Sequence, residues 1–381
     1  MKRFIQKIFV ITATVLACAT AFGSCSFVTG FLEGKNSAKE DTYMAVRTVS
    51  PKSEGRVSIA NDEMTEFANG YVACYASNFN TQKDHFVMKG LTLKWEADNA
   101  PNAYTVALSE KEDLSDAMIY QTENTQLHID DLFVNTCYFW QVTAHYSEKD
   151  EISKINRFTT ACTPRTIDIN GVSNTRDLGG KNLENGKQFR QGMVYRGGKL
   201  DDITEKGKIA AKEIYGIKTD LDLRNMAEGT AGEVSPLGEG IHYVHVNESP
   251  YYLGGKTGID VEKNKAIIAQ SIRVFADESN YPIYVHCSLG RDRTAAVCML
   301  IEGLLGMSRT DMEMDYETSF FSQMGSLDGQ TVEYMYNSFK QMYNYVAGMT
   351  REDFSKDCEA YLLGAGITEE EIASIRKILT K

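Results

Sequence analysis

Apolar and polar positions alternate with a period of two through the first half of the chain. Leu91, Leu93 and Trp95 are separated by Thr92 and Lys94, and Tyr104, Val106 and Leu108 repeat the pattern. Leu127, Ile129 and Leu132 then precede Tyr138, Trp140 and Val142. A period of two sends successive side chains to opposite faces, so these segments predict half-buried strands. Turns such as Asp98-Asn99-Ala100-Pro101 separate them. Residues 45–163 are therefore expected to form an all-β domain, with its first strands within 45–90.

Near Cys162-Thr163-Pro164 the period changes. Thr204 to Tyr215 carries apolar residues at helical spacing, and Gly216 ends the run. Ile217 to Leu223 reads as a strand, Ala266 to Phe275 as a helix and Pro282 to Val285 as a buried strand. Ala295 to Leu305 is an apolar helix, and helices continue to the end. This alternation predicts an α/β domain with a largely parallel sheet over 165–381. Thr368 can cap the last helix with Glu371 three residues on, and Ile367 can staple to Ile372.

The N-terminus has another layout. Lys2, Arg3 and Lys7 precede an uncharged run from Ile8 to Phe22, then Gly23, Ser24 and Cys25. This is the pattern of a secretory signal, and the run is short for a membrane span, which needs about 20 residues. Residues 1–24 are expected to be the signal peptide. Cys25 is the expected lipidation site, with Cys18 the alternative, and residues 25–44 form a tether. The product would then be exported and membrane-anchored.

Composition narrows the chemistry. Of 381 residues, 43% are hydrophobic and 24% charged, an ordinary globular balance. The net charge of -12 argues against a nucleic-acid partner, which would need a basic face. An anionic substrate would require positive charge concentrated at the site. Beyond the signal region the cysteines are Cys74, Cys137, Cys162, Cys287, Cys298 and Cys358. They show no metal-type spacing, and the histidines are scattered, so neither a metal nor a cofactor is expected.

The segment that carries chemistry is His286-Cys287-Ser288-Leu289-Gly290-Arg291-Asp292-Arg293-Thr294, between a buried strand and a helix. A tight loop there can turn its backbone N–H groups inward around a phosphate dianion. The helix N-terminus adds positive charge at the same place. Gly290 lets the loop turn, and Arg293 can fork onto two phosphate oxygens. Ser288, Leu289, Gly290, Arg291, Asp292 and Arg293 are the expected phosphate-binding positions. Such a cradle lowers a thiol pKa, so Cys287 is the expected nucleophile, attacking phosphorus in line to form a phosphocysteine.

These residues resemble the phosphate loop of the protein tyrosine phosphatase superfamily. The resemblance is closest to its bacterial tyrosine and dual-specificity branch, which includes phosphoinositide-active members. Asn174 to Gly180 resembles that branch's Asn-x-Arg-Asp-Leu-Gly-Gly signature. Tyr195-Arg196 with Leu200, and Asp222-Leu223-Arg224 with Glu228, resemble two further segments. Thr175 in place of Phe and Arg291 in place of Lys depart from it. The resemblance implies catalytic roles for Cys287 and Arg293. It favours Asp292 as the general acid, with Asp222 the other candidate. His286 and Thr294 would hold the loop and thiolate, and Arg176 and Asp177 would support it. Over Gly90 to Thr160 the chain also resembles a fibronectin type III or immunoglobulin-like sandwich.

The expected function is phosphoric monoester hydrolysis on phosphotyrosine peptides, and also on phosphoinositides or inositol phosphates if Arg291 meets a second phosphate. The alternative is a surface-anchored binding protein whose sandwich holds a protein or glycan partner and whose second domain only recognises phosphate. Rhodaneses and arsenate reductases also use thiolate loops, but Arg293 and the Asn174 to Gly180 segment favour the phosphatase.

Overall fold

The period-two segments fold as strands because alternate side chains can enter a shared core while their neighbours stay wet. A computed structural model describes residues 45–79, 88–250, 253, 261–323 and 331–381. The expected signal peptide, Cys25 and the 25–44 tether lie outside the described residues. In chain order the strands of the first half are β1 (Val46–Ser50), β2 (Gly55–Val57), β3 (Leu91–Ala97), β4 (Ala103–Ser109), β5 (Met118–Thr122), β6 (Gln126–Ile129), β7 (Cys137–His145), β8 (Asp150–Ile152) and β9 (Asn156–Thr160). One sheet has the order β1-β3-β6; the other runs β2-β9-β7-β4-β5, with β8 beside β7. Leu93 and Trp95 from the first sheet meet Val106, Trp140, Val142 and Phe158 from the second in one buried cluster.

The all-β expectation for 45–163 needs correction. Asp62–Gly70 is a helix, α1. Asn61 accepts a hydrogen bond from the Met64 N–H at 2.7 Å, and Asp62 and Glu63 favour the positive helix start. Met64 and Phe67, one turn apart, point away from the sandwich into the core of the C-terminal half. The described residues from 45 onward lie in one compact unit, and contacts cross the junction near residue 164. Arg165 makes such a contact: its guanidinium binds Asp177 at 2.8 Å on one side and Asp131, in the β6–β7 connection, at 2.5 Å on the other.

The C-terminal sheet contains β10 (Arg165–Thr166), β11 (Arg176–Asp177), β12 (Val194–Gly197), β13 (Thr219–Asp222), β14 (His242–His245) and β15 (Ile283–His286). Its order is β10-β11-β12-β15-β13-β14, and the last four are mutually parallel. The helices are α2 (Glu205–Ile209), α3 (Val261–Arg273), α4 (Asp292–Leu305), α5 (Arg309–Thr318), α6 (Val332–Val346), α7 (Phe354–Gly364) and α8 (Glu369–Leu379). α4 is buried from Arg293 to Leu305, which its apolar sequence requires. The capping box of α8 is present, with Glu371 N–H to Thr368 Oγ1 at 3.2 Å and Thr368 N–H to Glu371 Oε2 at 2.8 Å. Parallel pairing brings the C-terminal ends of β12, β13 and β15 to one edge, and the connection from β15 to α4 lies there.

Candidate active site

The loop leaves β15 at His286, turns through Cys287 to Arg291 and enters α4 at Asp292. Gly290 has φ +68°, and a Cβ there would collide with the backbone of Gly197 and Gly198. That close approach lets the neighbouring strand hold the loop. Arg196, at the end of β12, donates from Nη2 to the carbonyls of Gly290 at 2.9 Å and Arg291 at 3.1 Å. Asn174 Nδ2 donates to the Leu289 carbonyl at 2.8 Å. Three consecutive loop carbonyls thus have partners outside the loop.

Asp315 on α5 stands behind these contacts. It accepts from Arg196 Nη1, and from Arg176 Nε at 2.6 Å. Arg176 also binds Asn174 Oδ1 at 2.6 Å. Burial would raise the Asp315 pKa, but the two guanidinium groups outweigh it and the net shift is downward. Arg176 therefore supports the loop through Asn174 and Asp315. Asp177 sits elsewhere: it accepts from Arg165 and from the N–H groups of Gly179 and Gly192 at 2.8 and 2.7 Å. Its contacts are with the strand junction and not with the loop.

The Cys287 side chain is buried. Burial alone would raise its thiol pKa; the Arg293 guanidinium and the Thr294 side chain and N–H reverse that, and the shift is downward. Arg293 is held by Glu228, with Nη1 to Oε2 at 2.6 Å and Nη2 to Oε1 at 3.0 Å, and its Nη2 reaches Ser288 Oγ at 3.3 Å. His286 lies within the sheet. Its Nδ1 donates to the Cys287 carbonyl at 3.2 Å, and Nε2 pairs with the buried Asp220 at 2.9 Å. Burial would lower the His286 pKa, but Asp220 and Asp222 raise it.

The two acid candidates have different surroundings. Asp222 is wholly buried and accepts from Arg224 Nη2 at 2.8 Å and Tyr243 Oη at 2.9 Å. Burial pushes its pKa up, yet the Arg224 bonds and the His286 charge bring it from 3.8 down to about 2. A carboxylate held this way carries no proton to give near neutral pH. Asp292 keeps 19% of its side chain exposed. Tyr316 Oη donates to its Oδ1 at 2.7 Å.

Arg291 is enclosed at the start of α4. Its side chain is only 2% exposed and pairs with Asp292 at 3.1 Å. An unpaired guanidinium buried at a helix N-terminus would be costly, so the neighbouring carboxylate takes it. The guanidinium thus faces its acidic neighbour, Asp292. Beside the Glu228 segment, a cleft of about 550 Å³ is lined by Asn225, Met226, Ala227, Asn247, Glu248, Ser249 and Pro250. Among the described residues, no group of three or more His, Cys, Asp or Glu side chains could hold a metal ion.

The site also uses residues that pattern reading did not single out. Glu228 and Arg196 lay inside quoted motifs, without a role. Asp220 is a buried acid in a strand, and Asp315 and Tyr316 sit on a helix that reads as ordinary packing.

Asp222 gives a test by pH. Its folded-state pKa is depressed, so the stability it contributes is present above about pH 4 and is lost as pH falls toward 2. Asp222→Asn should cost on the order of 2 kcal/mol at neutral pH, and the gap to wild type should narrow between about pH 4 and 2. Denaturant unfolding across that range measures it; a gap that stays constant would contradict the assignment.

A buried thiol on the loop between a parallel strand and a helix start, beside a carboxylate-held arginine, is the class of site these residues define. The chain belongs to the tyrosine phosphatase family, whose model matches residues 167–381. One relative is a Cupriavidus necator protein to which tyrosine-protein phosphatase activity is attributed, 24% identical over 168 residues. The match covers 38% of this chain and 59% of the relative, so the chain spans under two thirds of that protein's length. A similar solved structure is the core catalytic domain of a PP-IP phosphatase from S. cerevisiae in complex with citrate. It has 22% sequence identity and a TM-score of 0.26, covering 37% of this chain and 78% of that one.

Proposed function

We propose that the protein is a cysteine-dependent phosphomonoesterase acting on phosphotyrosine through a phosphocysteine at Cys287. The observation that carries this reading is the loop itself: a buried thiol of lowered pKa beside Arg293, which Glu228 fixes in place. In the first step the Cys287 thiolate bonds to phosphorus and the ester oxygen leaves with a proton from an acid, proposed to be Asp292. Water then attacks phosphorus, giving a proton back to Asp292, as the P–S bond breaks; phosphate leaves and Cys287 returns to the thiolate. Purified protein should hydrolyse an aryl phosphate in the presence of a chelator; no turnover under those conditions would overturn the proposal.

The buried Arg291–Asp292 pair argues for a substrate selected by one phosphate. Arg291→Ala should lower turnover of phosphotyrosine peptides and of inositol phosphates by similar factors, because it disturbs Asp292 in both cases. A selective loss with multiply phosphorylated substrates would restore a second-phosphate role.

The two-sheet half is proposed to be fibronectin type III-like, and the protein to be an exported lipoprotein anchored through Cys25. Cys25→Ala should move it from the membrane fraction to the soluble one; unchanged membrane association would reject that anchor.

A further inference from the structure

Glu317 on α5 is wholly buried and takes three donors from one short segment of the first half of the chain. Tyr71 Oη and the Cys74 N–H donate to Oε1 at 2.9 and 2.7 Å, and the Ala76 N–H donates to Oε2 at 3.1 Å. The same segment packs its rings on the turn after α5. Phe321 lies 4.8 Å from Phe67 and 5.3 Å from Phe79, centroid to centroid. Ser319, in that turn, accepts from Arg176 at 3.2 Å.

Glu317 is the third of three consecutive residues with separate tasks. Asp315 holds Arg176 and Arg196, whose contacts reach the carbonyls of Leu289, Gly290 and Arg291 directly or through Asn174. Tyr316 holds Asp292. Consecutive helical residues point about 100° apart, so no small rotation of α5 can move one of these contacts and spare the others. A catalytic loop tolerates little displacement: misplacement by about 1 Å can cost a hundredfold in rate.

We propose that residues 61–79 are a positioning element of the phosphatase site, coupled to the phosphate loop through Glu317 and α5. The inference rests on the reading of the Cys287 loop as the phosphatase site. It assigns part of the N-terminal half to the chemistry, where the sequence suggested a separate partner-binding domain.

The test uses the full chain with Glu317→Ala, the milder Tyr71→Phe, and the control Tyr146→Phe. The control removes a sandwich hydrogen bond, Tyr146 Oη to the Asp98 carbonyl. For each, kcat/KM with an aryl phosphate, the affinity for inorganic phosphate by calorimetry and the melting temperature are measured. Glu317→Ala should weaken both phosphate affinity and kcat/KM by about tenfold, Tyr71→Phe should shift both the same way by less, and the control should keep both within about twofold. If Glu317→Ala melts earlier but keeps both within about twofold, or if the control loses as much, the segment is structural support only and the proposal fails. Should Glu317→Ala not fold, Tyr71→Phe decides by the same two readouts. Should the wild type turn over no phosphoester, the phosphatase reading fails, while phosphate affinity still decides the coupling.

Discussion

Cys287→Ser should abolish phosphoester turnover, by more than about a thousandfold, while leaving phosphate binding nearly intact. The asymmetry follows from what the loop supplies. Under the proposed mechanism the loop N–H groups, the α4 N-terminus and the Glu228-held Arg293 would hold the anion, and none of them depends on sulfur. The nucleophile does. Arg293 and Thr294 overcome the burial penalty and draw the thiol pKa down, whereas a serine hydroxyl in the same place stays protonated. The acid limb of the wild-type pH–rate profile should therefore lie below the range of an ordinary thiol. Alkylation of Cys287 by iodoacetate should follow the same limb, and inorganic phosphate should slow it. Undiminished turnover in Cys287→Ser would sink the mechanism. Alkylation that follows an unshifted thiol would sink the account of how Cys287 is activated.

The loop was legible from sequence because its chemistry lies in a contiguous stretch. His286, Cys287, Gly290 and Arg293 each have a local reason to be there, and strand and helix periodicity placed the stretch between β15 and α4. The supporting network was not legible because its contacts are long-range. Asp315 meets Arg176 and Arg196 only once α5 has packed beside the sheet, and an acid on an amphipathic helix reads as a solvated face. The surroundings of Arg291 were open for a related reason, since a string does not say whether a cation meets an acidic neighbour or a second phosphate. As a string it adds a free cation to an acidic protein; in the fold it is buried against Asp292. The helix α1 did leave a local signal, an Asn61 cap followed by Asp62 and Glu63. The strand expectation for 45–90 rested on continuity with the strands that follow and not on that signal.

Asp292→Asn should reveal the general acid through the leaving group. With phosphotyrosine or an alkyl phosphate, whose oxygen leaves poorly without a proton, turnover should fall by about a hundredfold or more; with an activated aryl phosphate the loss should be less than about tenfold. Asparagine keeps the size of the side chain and an oxygen for Tyr316 and Arg291 to donate to, so the loop should still bind phosphate. Asp222→Asn makes the contrast. It removes the charge that Arg224 and Tyr243 now hold, so it should destabilise the fold and lower activity on both substrates by similar factors. Geometry gives the reason: Asp222 is enclosed on all sides, whereas Asp292 opens partly to solvent at the loop. A steep leaving-group dependence in Asp222→Asn and none in Asp292→Asn would exchange the two roles. The proton would then have to come from a buried carboxylate whose pKa the fold lowers to about 2, which would require Arg224 to let go of Asp222 when substrate binds.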